Sequence, residues 1–168
     1  MSKKSLLKEL QSMSHEQLVQ IISDAYDARP EIKEYLEFFI NPDTEKLTAR
    51  QSAIVERELS RVKWGRSRAR VTNIKNTVKL VIGFNPGDDV VLSYMFSTLT
   101  MIGRAERYVF LPDTMWRYVD ALTGQARQWA DEHGMASDGL TLCNALLEKD
   151  SFTGRYKECV RNAYHNAE

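Results

Sequence analysis

A chain of 168 residues with 43% apolar side chains is long enough for one domain with a sizeable core, and too apolar for disorder. Its 23 basic and 23 acidic groups cancel, which excludes a protein-wide field drawing it to nucleic acid or to an anionic membrane. Two cysteines are too few for a disulfide framework, and no run approaches the roughly 18 apolar residues of a membrane span.

Taken in order, the chain reads as helices separated by punctuation. The spacing predicts a short helix over 3–11 presenting Leu6, Leu7 and Leu10. The opening MSKKSLLKELQS has no apolar h-region, so nothing directs the chain out of the cytoplasm. Ser14 is placed as an N-cap with Gln17 at the capping-box position, starting a helix through Leu18, Val19, Ile21, Ile22 and Tyr26. Pro30 suits the first turn of a third helix, where Glu31 and Glu34 favour the positive end of the dipole. Asn41-Pro42 stops it, because the residue before proline is pushed out of the helical region.

This opening stretch, SKKSLLKELQSMSHEQLVQIISDAYDARPEIKEYLEFFINPD, resembles the N-terminal signature of a family of small bacterial proteins known only as a domain of unknown function. The resemblance rests on the Lys-rich start, the Ser-capped Leu-rich helix and the Lys-Glu-Tyr helix closing on Phe-Phe-Ile-Asn-Pro. It implies a helical protein and hands over no catalytic residues.

Residues 46–84 carry the concentrated positive charge. They read as two amphipathic helices joined at Trp64-Gly65, with Leu47, Ile54, Val55, Leu59 and Val62 on the inner face of the first and Val71, Ile74, Val78, Val81 and Ile82 on that of the second. From Lys46 to Lys79 there are ten Lys or Arg against only Glu56 and Glu58, a net of +8. The preceding residues 9–45 hold nine acids against Arg29 and Lys33, a net of −7. Charge so segregated fits either an exposed binding patch or a patch neutralised by its acidic neighbours.

Asn85-Pro86-Gly87-Asp88 is a strong breaker, with Asp88 as the expected cap of a helix that is apolar nearly all round from Val90 to Ile102 and therefore central. Tyr108-Val109-Phe110-Leu111 lacks a partner strand and reads as a buried connector. Pro112 and Asp113 begin a long helix to about Gly134, followed by helices over about 139–149 and 152–165. The expectation is an all-α single domain over 1–168, without a sheet, holding eight or nine helices in a right-handed array of antiparallel helical pairs. The alternative architecture is a compact helical bundle.

Chemistry is sparse. His15, His133 and His165 lie in separate segments without ligand spacing, and Asp131-Glu132-His133 are adjacent helical positions that point apart. His133 is placed to meet the carbonyl end of its helix. Cys143 and Cys159 lie on apolar faces that raise a thiol's pKa, and no phosphate-binding glycine loop is present, so neither a cofactor nor an enzyme activity is expected. Trp116, Tyr118 and Trp129 sit at core spacing, though they could line a pocket.

Two functions remain. The first is an interaction module binding a protein partner, or itself, through a charged groove. The second is nucleic-acid or phosphate binding by Arg57, Arg61, Lys63, Arg66, Arg68 and Arg70 around Trp64, whose indole could stack on a base. Exposure of Trp64, and whether the arginines pair with acids of residues 9–45, separate them.

Overall fold

The computed structural model describes residues 2–165, and nine helices account for most of them, so the all-helical class holds. The chain divides into two compact units, Met1–Asp43 and Thr44–Glu168.

The first unit contains α1 (Lys3–Ser12), α2 (His15–Ala28) and α3 (Pro30–Ile40). Ser2 caps α1, and Ser14 caps α2 with both bonds of a capping box in place: Gln17 N–H donates to Ser14 Oγ at 3.3 Å, and Ser14 N–H to Gln17 Oε1 at 2.9 Å. α2 lies against α3, where the Tyr26 hydroxyl donates to Glu37 at 3.0 Å and Lys33 faces the same carboxylate. None of the three helices fully buries a residue, and Phe39 and Ile40 are 72% and 81% exposed.

The second unit contains α4 (Thr44–Leu59), the strands β1 (Val62–Lys63) and β2 (Arg66–Ser67), then α5 (Val71–Phe84), α6 (Asp88–Glu106), α7 (Asp113–Glu132), α8 (Ala136–Leu147) and α9 (Gly154–His165). As its all-round apolarity requires, α6 is central and touches α4, α5, α7 and α8, with Leu92, Met95, Leu99 and Ile102 fully buried. α9 closes on it through Tyr156, whose hydroxyl donates to the Leu99 carbonyl at 2.5 Å. Gly103 permits that approach, since a Cβ there would lie 2.7 Å from the Tyr156 ring. Truncating a core leucine such as Leu99 to Ala costs about 2–5 kcal/mol in so dense a setting.

Four local expectations need correction. The first helix of the basic segment ends at Leu59 rather than running to Trp64, and a small antiparallel ribbon follows, so a sheet exists where none was expected. Tyr108–Leu111 is not a buried connector: only Leu111 is buried, while Tyr108 and Phe110 are exposed. Phe110 instead pairs in parallel with Arg66, giving the ribbon the partner the sequence concealed. Asp88 is the first helical residue of α6, and the cap is Gly87 at φ 125°, a conformation that side-chain-bearing residues rarely adopt.

Candidate nucleic-acid interface

The basic segment is built upward from one buried carboxylate. Glu58 faces inward on the last turn of α4, with its side chain 6% exposed. It accepts from the Arg70 backbone N–H at 3.0 Å, from Asn73 Nδ2 at 2.8 Å and from the Arg61 guanidinium at 3.0 Å. The Arg70 N–H bond is the main reason its pKa falls to about 2; Asn73 and Arg61 add to the lowering, and desolvation opposes it. These bonds tie the end of α4 to the start of α5. The intervening residues are thereby forced into a closed hairpin, and the Arg68 N–H donates to the Arg61 carbonyl at 2.6 Å.

Above that base, Val62 pairs with Ser67 and Lys63 with Arg66, leaving Trp64-Gly65 as a two-residue turn. Both turn residues have positive φ, 51° and 71°, the requirement of a type I′ hairpin. Gly65 meets it freely. Trp64 does not, because a side chain in the left-handed region costs about 1–2 kcal/mol. The ribbon extends to a third segment: Phe110 N–H donates to the Gly65 carbonyl at 2.8 Å, and Ser67 N–H to the Phe110 carbonyl at 2.9 Å.

Three aromatic rings are thereby presented to solvent, with Trp64 85%, Tyr108 78% and Phe110 59% exposed. Each carries a cation on its face. Lys63 Nζ lies 4.4 Å from the Trp64 ring, the Arg66 guanidinium 5.6 Å from that of Phe110, and the Arg107 guanidinium 5.9 Å from that of Tyr108.

Of the seven residues the sequence singles out, the hairpin brings Lys63, Trp64 and Arg66 together at its tip. Arg68 and Arg70 are exposed after the second strand, and Arg57 stays on the last turn of α4, where it complements the helix dipole. Arg61 turns back to Glu58, with its guanidinium 3.0 Å from the carboxylate and its side chain 39% exposed. Sequence reasoning missed Glu58, Arg107, Tyr108 and Phe110. The adjacent Arg-Tyr pair at 107–108 was the available signal.

Elsewhere the candidate side chains have structural surroundings. His133 Nδ1 lies 2.8 Å from the Trp129 carbonyl, and its ring stacks on that indole, as its place at the helix end implies. Burial raises the pKa of Cys143 to about 11 and also raises that of Cys159. Tyr118 is buried, whereas Trp116 is half-buried and does line a cavity. Among the described residues, no helix is long and apolar enough to cross a membrane.

The fold and this surface define a helical protein with a cationic, aromatic edge, and its sequence places it in a family: the chain belongs to the family of unknown function DUF6155, which matches residues 1–142. The match takes in the ribbon and the Tyr108–Phe110 segment and ends within α8. Comparison with curated proteins and with solved structures gives no match.

Proposed function

We propose that this protein binds single-stranded nucleic acid along the edge formed by Trp64, Phe110 and Tyr108 with Lys63, Arg66 and Arg107. One observation carries the reading: a tryptophan stands 85% exposed at a turn position whose backbone disfavours it. Neither packing nor turn geometry accounts for an indole there. Stacking on a base does, at about 1–3 kcal/mol per base, and neighbouring cations supply the backbone attraction such binding needs.

The same residue types occur at protein hot spots, and the charge pattern of the sequence put a protein-binding groove first. The open indole reverses that order. The test is titration of fluorescently labelled twelve-nucleotide single strands, RNA and DNA, with the protein, followed by the anisotropy of the label at several salt concentrations. Three phosphate contacts from Lys63, Arg66 and Arg107 give a slope near −2 decades of affinity per decade of salt, at roughly 0.7 per phosphate. Trp64→Ala should weaken binding by about 5- to 150-fold without lowering the melting temperature. Absence of binding at about 50 mM salt, a condition under which electrostatic contacts are strong, would overturn the reading in favour of a protein partner.

A further inference from the structure

Beside the ribbon, the segment 106–111, the start of α7 and the first turn of α9 line an open cavity of about 310 Å³. That is the lower end of the range for small-ligand sites. Its wall combines three rings with three charges: Tyr108, Phe110 and Trp116, with Glu106, Arg107 and Arg155. The Arg155 guanidinium lies 4.3 Å over the Trp116 ring, which orients it, and it has no carboxylate within ion-pair distance among the described residues. Glu106 is positioned in turn by the Thr153 hydroxyl, which donates to its Oε2 at 2.7 Å. Phe110 belongs both to this wall and, through its backbone bonds to Gly65 and Ser67, to the ribbon. The cavity and the exposed edge are thus one continuous surface.

We infer that the cavity is a nucleotide subsite, taking one unstacked base of the strand together with its phosphate. The inference rests on the single-strand reading above and adds a selectivity to it. The phosphate meets Arg107 and Arg155, where a planar guanidinium can donate two parallel N–H bonds to an oxyanion. The base lies against the aromatic wall. Glu106, an acceptor when ionised, meets its hydrogen-bonding edge. A carboxylate accepts from bases that present N–H groups, so guanine, with adjacent ring N–H and amino donors, is preferred. Uracil offers a carbonyl on either side of its single N–H and is disfavoured by repulsion between acceptors.

The experiment uses the full chain carrying Trp64→Phe, which removes the hairpin indole and leaves two, Trp129 away from the cavity and Trp116 in its wall, of which Trp116 is the reporter. Guanosine 5′-monophosphate should quench its fluorescence saturably, uridine 5′-monophosphate should bind about tenfold more weakly or worse, and inorganic phosphate more weakly still. Adding Trp116→Phe should abolish the signal. Arg155→Ala, at an exposed side chain with no ion pair among the described residues, should weaken guanosine monophosphate by about tenfold or more with the melting temperature retained, and Arg107→Ala should act in the same direction. Equal affinity for the two nucleotides removes the role of Glu106 and the selectivity with it. No saturable quenching, or an Arg155→Ala protein that binds as well as the parent, overturns the subsite. Failure of the edge reading looks different, because single strands would then not bind the unsubstituted protein at all. Loss of strand binding on Trp64→Ala but not on Arg155→Ala leaves the edge standing and the subsite refuted.

Discussion

The base and the tip of the ribbon between α4 and α5 lie only a few residues apart and draw on the same basic composition, yet burial gives them opposite roles. At the base, Arg61 and the Arg70 backbone converge on Glu58, a carboxylate almost out of water. At the tip, Lys63 and Arg66 lie over the faces of the exposed Trp64 and Phe110 rings. Charge of one sign in a sequence therefore does not mark one surface. A cation that finds a buried acid becomes part of the fold, and one that does not remains available to a ligand.

Glu58 is the residue whose loss should undo the base most directly. Replacing it with Ala leaves the Arg70 N–H and the Asn73 amide without their acceptor, at a cost of about 2–3 kcal/mol. For a chain of this size the midpoint of thermal unfolding should fall by about 4–12 °C. The change should disorder the ribbon, so strand affinity should fall with it. An unchanged melting temperature would show that the base does not hold the tip in place.

The same carboxylate supplies a pH test with a definite sign. Its folded-state pKa is lowered to about 2, so its contribution is present in full above the ordinary carboxylate range. That contribution is lost as pH falls from about 4.5 toward 2. In Glu58→Gln the loss of stability across this window should be smaller than in the parent. Parallel acid-unfolding curves would count against Glu58 as the group involved.

Arg61→Ala sharpens the same contrast with a smaller effect. It removes one of three partners of Glu58 while the Arg70 N–H and Asn73 remain, and its own side chain is 39% exposed. A loss of about 0.5–1 kcal/mol in stability is expected, with the salt slope of strand binding unchanged because this charge is already satisfied. A fall in slope by about 0.7 would move Arg61 from the base to the binding edge.

What the sequence disclosed and what it hid divide along physical lines. Ser14 with Gln17, Pro30 and Asn41-Pro42 act through neighbours three or four residues away, and the helices they bound are where the spacing put them. The central place of α6 followed from apolarity on every side, and the buried Ile74, Val78 and Val81 of α5 followed from their period. The ribbon was hidden because strands of two residues are too short to show alternation, and because Trp-Gly is not the Asn-Gly or Asp-Gly that announces such a turn. Phe110 was hidden for another reason: its pairing with Arg66 spans more than forty residues, and apolar character in Tyr108–Phe110 reads as burial until a structure shows those rings in solvent. The seven candidate residues do not distinguish Arg61, paired with Glu58, from Lys63, which lies over the Trp64 ring. Only the position of Glu58 makes that distinction.

The smallest expected effect tests the tip. Trp64 occupies a left-handed position that asparagine adopts more readily and that type I′ turns favour for it. At 85% exposure the indole contributes little burial to offset that preference. Trp64→Asn should therefore raise stability, by about 0.5–1 kcal/mol, which corresponds to roughly 1–4 °C in melting temperature. The same substitution should remove the stacking platform and weaken single-strand binding. Opposite signs for stability and binding at one residue are the mark of a side chain kept for a ligand rather than for the fold. If Trp64→Asn instead lowers the melting temperature, the indole is packing against something in the folded protein, and the tip would belong with the base as structure.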